Sequence, residues 1–234
     1  YAFNGGFSRY KSFQVRLEGR RGSMTFLSAL TLSKATDNGA GTLENPNGNF
    51  PAPQDFRNLA AEEGTSAYDQ PWNSTTSLVW ALPFFKGNRF LGGWQIAAIN
   101  NMWAGEPITF TYAPAAAFQV SGITQDFRGA NNYRPNIVCD PVLAGGGPSG
   151  YFNKDCVQVP TNPSQPFGDA KRNAARGDAV YQLDMALSKS FPVRGDRRIE
   201  FRLEAFNVLN KTNFRAANGN RSSSAFGTIT APYD

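Results

Sequence analysis

Histidine is absent from the 234 residues, and with it go the Ser-His-Asp triad, Cys-His nucleophiles, His-ligated metals and imidazole acid-base catalysis. No Gly-Lys-Ser or Gly-Lys-Thr phosphate loop occurs, and no Asp-x-Asp-x-Asp-Gly series for calcium. Charged residues make up only 18% of the chain, sparse for a surface wetted on all sides. No apolar run approaches the roughly 18 residues of a membrane-spanning helix; the longest candidate, Val79 to Phe85, contains Pro83. Tyr1 to Gly6 has neither the basic nor the apolar segment of a secretory leader, so a mature protein or a fragment is expected. Neither a cofactor nor an enzyme activity is expected. Glu62-Glu63 and Glu200/Glu204 are the remaining carboxylate pairs, and solvation or ion pairing accounts for both.

What the chain has in quantity is aromatic residues, 13%, beside 23 glycines and 15 prolines, a mixture that favours strands and turns. Period-2 alternation is clearest in Lys11–Arg20, Ala179–Phe191 and Ile199–Ala205. In each, an apolar face (Phe13, Val15, Leu17; Tyr181, Leu183, Met185, Leu187; Ile199, Phe201, Leu203) backs a polar one. Ser23–Thr36, Asn73–Phe85 and Gly92–Trp103 have strand composition with weaker alternation. Short turns are expected at Arg20–Ser23, Lys86–Phe90 and Val193–Arg197, alternating with long polar connections over 37–72 and 105–177. Long strands with short turns at one end and long loops at the other are the pattern of an outer-membrane barrel. The predicted fold is therefore all-β, an antiparallel meander of a transmembrane β-barrel, with both long connections extracellular.

That reading assigns faces. Arg16, Glu18, Asp184, Glu200, Arg202 and Glu204 point to the lumen, and Asp184 is expected to pair with Arg202 across adjacent strands. Trp72, Phe84, Phe85, Phe90 and Trp103, near strand ends, are expected at the membrane interfaces. The connection 37–72 has six acids, Asp37, Glu44, Asp55, Glu62, Glu63 and Asp69, against the single base Arg57, whereas Arg20, Arg21, Lys86, Arg89, Arg194, Arg197 and Arg198 crowd the short turns. The acids read as a solvated loop, with cation binding the less favoured alternative. Despite a net charge of +5, no nucleic acid partner is expected, because basic residues alternate with acids instead of forming a stripe. Cys139 and Cys156 flank Asp140–Gly150, a Gly/Pro-rich stretch expected to hold no regular element. A bridge between them would close a loop worth about 3 kcal/mol and imply an oxidising compartment.

A resemblance covers about residues 12–230. Arg176-Gly177-Asp178, the run Gln182–Phe191, the run Phe201–Asn210 and Asn213-Phe214 resemble the last barrel strands of TonB-dependent outer-membrane receptors of the Oar-like group. Gly92-Gly93-Trp94-Gln95, Gly105-Glu106-Pro107-Ile108-Thr109, Arg134-Pro135-Asn136 and Phe226-Gly227-Thr228-Ile229-Thr230 fit the same family in the same order, as does Asn58-Leu59-Ala60-Ala61-Glu62 with Ser66 and Asp69. Trp72 stands where the family often has a histidine. The resemblance implies a barrel of about 22 strands around a plug, importing a ligand across the bacterial outer membrane with energy from TonB.

The expected partners are thus outer-membrane lipid, the rest of the barrel and its plug, TonB through a preceding N-terminal part, and an unidentified extracellular ligand. Neither plug, TonB box nor final aromatic-ended strand is recognisable, so residues 1–234 are expected to be an internal piece with six spanning strands and part of another at Tyr1–Phe7. Two rival readings are a secreted β-sandwich carbohydrate-binding module and a non-transporting surface adhesin built on a barrel.

Overall fold

The structure, a computed structural model, describes residues 5–39, 53–55, 58–85, 87–113, 133–162, 164–193 and 196–233. Six long strands carry it: β1 Ser8–Arg21, β2 Met24–Asp37, β3 Trp72–Ala81, β4 Trp94–Trp103, β5 Val180–Pro192 and β6 Arg198–Ala205. They lie in one sheet in chain order, each antiparallel to the next. The registers are unbroken, from Ser8 opposite Asp37 to Pro192 opposite Arg198. Unbroken registers make face assignment simple, since directly opposed residues share a face and neighbours along a strand alternate.

β1 and β2 meet across a two-residue turn in which Gly22 takes φ +59, the positive value that primed hairpin turns require. The β3–β4 turn is longer than expected. Strand pairing ends at Ala81, and Leu82–Gly93 form a connection in which Asn88 accepts from the N–H groups of Phe90 and Leu91 through its side chain. Gly5–Phe7 add no strand; Phe7 is tied instead to Asn38, its N–H donating to Asn38 Oδ1 at 2.8 Å. Tyr1–Asn4, Glu44, Arg57, Lys86 and Arg194 lie outside the described residues.

The sheet does not contain the hydrophobic core. The buried cluster is Ile108, Phe110, Tyr151, Phe152, Val157, Ala175 and Ala217, with Ile137, Ala216, Phe226 and Ile229 packed against it. These residues come from the β4–β5 connection and the segment after β6, which fold together into a cap at the long-loop end. Small paired segments frame it: Pro107–Ile108 with Ala175–Arg176, and Asn136–Ile137 with Val157–Gln158. Close packing demands glycine at Gly105, where a Cβ would sit 2.2 Å from the Gly177 carbonyl oxygen.

Asp140–Gly150 does hold strand structure, contrary to expectation: Val142–Gly147 pairs with Gly150–Phe152 through a bulged register. Burial of Tyr151 and Phe152 in the cap core holds the partner strand in place, so the glycine-rich segment has a ladder to join. The β-sandwich alternative fails on architecture. A sandwich needs a second sheet across the apolar face, and among the described residues no other sheet exceeds two strands.

Candidate functional site

Register sorts the side chains of the sheet into two unlike faces. One carries Phe13, Val15 and Leu17 of β1, Leu30 and Leu32 of β2, Leu78 and Trp80 of β3, Ile96 of β4, Leu183 and Leu187 of β5, and Phe201 and Leu203 of β6. The other carries Gln14, Thr31, Asn73, Thr75, Asn101, Gln182 and Ser188. Arg16, Glu18, Asp184, Glu200, Arg202 and Glu204 all fall on this second face.

The charges on the polar face pair along strands rather than across them. Arg16 meets Glu18 at 2.8 Å, and Arg202 Nε donates to Glu204 Oε1 at 2.7 Å. The expected Asp184–Arg202 pair does not form. Arg202 lies opposite Ser188, whereas Asp184 accepts from Asn207 N at 2.8 Å and from Gln182 Nε2 at 3.0 Å. The register set by the β5–β6 turn places Arg202 too far along the strand. Asp184, Arg202 and Glu204 still line one depression of about 170 Å³, together with Ile99 and Phe206.

At the long-loop end, three acids of 37–72 have a different fate from the expected solvated loop, whereas Glu63 is exposed as expected. Asp37, Glu62 and Asp69 are buried, Glu62 to 1% exposure, and each meets an arginine from the β4–β5 connection. Arg134 grips Glu62 with two nitrogens, at 2.7 and 2.9 Å, and donates from Nε to the Ala170 carbonyl at 2.8 Å. Arg172 joins the Glu62 carbonyl to the Asp37 carboxylate. Arg176 pairs with Asp69, whose other oxygen accepts from Ala35 N at the end of β2. A buried carboxylate is tolerated only when paired and hydrogen-bonded, and here each is both. The three pairs fasten the two long connections to each other and to the top of the sheet. Among the described residues no cluster of acids could hold a metal ion.

The cap joins the sheet through aromatic contacts as well. Within the sheet Tyr181 packs on Trp72 at 6.3 Å between centroids, and from the segment after β6 Lys211 Nζ reaches to 3.8 Å from the Tyr181 ring. Trp103 departs from the expected interface group. It lies opposite Val180 and Asn73 on the polar face and packs on Tyr233, both lining a cavity of about 340 Å³ with Tyr68, Gln70 and Glu106. Phe84, Phe85 and Phe90 are exposed in the turn below β3 and β4, with Phe84 edge-on to Trp80. Lys189, missed in the sequence, sits on the apolar face 3% exposed, its ammonium 5.2 Å from the Trp94 ring and 4.8 Å from that of Phe191, donating to the Phe90 carbonyl.

Cys139 and Cys156 form a disulfide with Cα atoms 4.9 Å apart, placing the bridge beside Val157 of the cap core. Cap tyrosines hold their protons tightly. Burial, aided by Tyr133, pushes Tyr112 up to about 12. Burial, the Asp178 charge and a hydrogen bond to that carboxylate push Tyr151 to about 12. Tyr233 is raised to about 12 by burial and Glu106, against an opposing effect of Arg215.

A single sheet with one apolar and one polar face, short turns at one end and the described parts of the long connections gathered at the other, defines the wall of an outer-membrane barrel. The chain matches the family described as outer membrane beta barrel domain over residues 1–234, and it belongs to that family. It is a bacterial outer-membrane protein whose barrel wall contacts lipid. No curated protein and no solved structure matches it.

Proposed function

We propose that this chain is part of the barrel of a TonB-dependent receptor of the Oar-like group, in which the long connections capture an extracellular ligand that then passes through the lumen. The observation that carries the reading is the placement of Arg16, Glu18, Asp184, Glu200, Arg202 and Glu204 on one face of an unbroken sheet, beneath a cap fastened by buried ion pairs. The polar face would line the lumen and the aromatic strand ends would meet the interfaces. In this reading the chain performs no catalysis. Its cap motifs support the resemblance: Arg134, Arg176, Glu62 and Asp69, four residues of the family-like segments, make two of the three buried ion pairs.

The outer edges of β1 and β6 pair with no strand among the described residues. In lipid those backbone groups need partners, which further strands of the same barrel would supply. A plug and a TonB-binding segment would complete the receptor. Reading the gene on both sides of these codons tests the proposal. A plug-encoding region with a TonB box upstream and further strands on either side are expected; start and stop codons bounding residues 1–234 would sink it.

A further inference from the structure

The short-turn end carries more cationic character than a lipid-facing rim needs for solubility. Arg20, Arg21, Arg89, Lys189, Arg197 and Arg198 lie there among the described residues, against Asp196 and Glu200. Most of these cations are spoken for or point away from lipid. Lys189 is buried against aromatic rings, Arg89 donates to the Pro192 carbonyl, and Arg20 and Arg198 fall on the polar face. Arg21 differs. It lies opposite Met24 on the apolar face, is exposed, and has no acidic partner among the described residues.

Arg21 lines an open groove of about 670 Å³ together with Met24, Trp80, Leu82 and Pro83. The position matches the edge of a hydrocarbon layer. On β1 the apolar face runs from Lys11 to Arg21, ten steps along the strand at roughly 3.3 Å each, about 33 Å. Tilted by about 40°, that spans close to 25 Å, the height of a barrel's apolar band. A guanidinium at that border, above an apolar trough, matches a phosphate ester carrying a hydrocarbon chain.

We propose that the groove beside the Gly22–Ser23 turn seats an anionic glycerophospholipid, its phosphate on Arg21 and an acyl chain along Met24, Trp80 and Leu82. The excess of cations at this end favours a headgroup with net negative charge over a zwitterionic one. The inference rests on the chain's place in the outer membrane and not on ligand transport, so either can fail alone.

Trp80 supplies the probe. In the full chain held in detergent micelles, with Trp72, Trp94 and Trp103 replaced by Phe, Trp80 fluorescence is quenched by brominated phosphatidylglycerol or brominated phosphatidylcholine at equal mole fraction. The expected result is a preference of about fivefold for phosphatidylglycerol. Arg21→Gln should abolish it, Arg21→Lys should keep most of it, and quenching by the choline lipid should be unchanged in both. Equal quenching by the two lipids, or a preference that survives Arg21→Gln, would overturn the proposal.

Discussion

The sheet and the cap of this molecule obey opposite rules of burial. In the sheet, large apolar side chains stand in the open: Phe13 is 64% exposed and Leu203 59%. In the cap, Phe110 and Val157 are fully buried, and charged groups are buried with them in pairs. A protein meeting one solvent throughout would not show both patterns. The difference teaches that the sheet is built against hydrocarbon, where exposed apolar surface is no liability, and the cap against water, where burial supplies the driving force. One chain thus carries two folding problems joined at the strand ends.

Removing what each region depends on should separate the two. The largest effect is expected from Glu62→Ala, which leaves Arg134 buried without its carboxylate and strips a side-chain contact from Arg172. The cap should lose about 3–5 kcal/mol, read as protease sensitivity of the long connections in detergent, while the sheet's far-ultraviolet circular dichroism holds. Concurrent loss of both signals would show that sheet and cap are one cooperative unit. Charge placed on the two sheet faces should discriminate next. Leu17→Arg should destabilise the membrane-inserted protein by about 2–4 kcal/mol if its site is near mid-bilayer, whereas Gln14→Arg should cost little, as judged by urea titration in bilayers. Equal costs would erase the distinction between faces.

Reduction of Cys139–Cys156 should weaken only the cap, by about 3 kcal/mol at most, visible as faster proteolysis around Val142–Phe152 with no change in the sheet. The smallest effect comes from alkali. Tyr112 and Tyr151 lose their protons near pH 10 when unfolded and near 12 when folded. The folded state therefore holds more protons between those values. The stability they contribute is complete below pH 10 and is lost as pH climbs toward 12. Tyrosinate absorbance titrated with and without denaturant checks it; coincident curves near pH 10 would contradict the burial of these rings.

The sheet was far more legible in the sequence than the cap. All six strands were readable, β1, β5 and β6 from a two-residue period and β2, β3 and β4 mainly from composition, because both are local properties that need no knowledge of the partner strand. The polar face of β5 and β6 was likewise readable from Asp184 and Glu200–Glu204. The cross-strand pairing was not. Asp184 and Arg202 looked suited to each other, but pairing depends on where the β5–β6 turn starts, and Pro192 opposite Arg198 sets Arg202 against Ser188. The cap ion pairs were still more remote. Glu62 and Arg134 lie 72 residues apart and Asp37 and Arg172 lie 135 apart, so nothing local distinguishes a carboxylate awaiting a buried arginine from one in water. Their signal lay in the motifs around Arg134 and Arg176, which carried the family resemblance without revealing their partners. Lys189 was hidden for a different reason: alternation put it among apolar residues, and only the folded turn shows the rings and carbonyl that accept its ammonium.

The central claim is that Phe13, Val15 and Leu17 face lipid while Gln14, Arg16 and Glu18 face water. Nitroxide labels on single cysteines at these six positions, with the protein reconstituted in bilayers, test it directly through collision rates with oxygen and with a water-soluble nickel chelate. The account predicts strict alternation, oxygen dominating at 13, 15 and 17 and the nickel chelate at 14, 16 and 18. Uniform accessibility along β1, or alternation in the opposite phase, would contradict it.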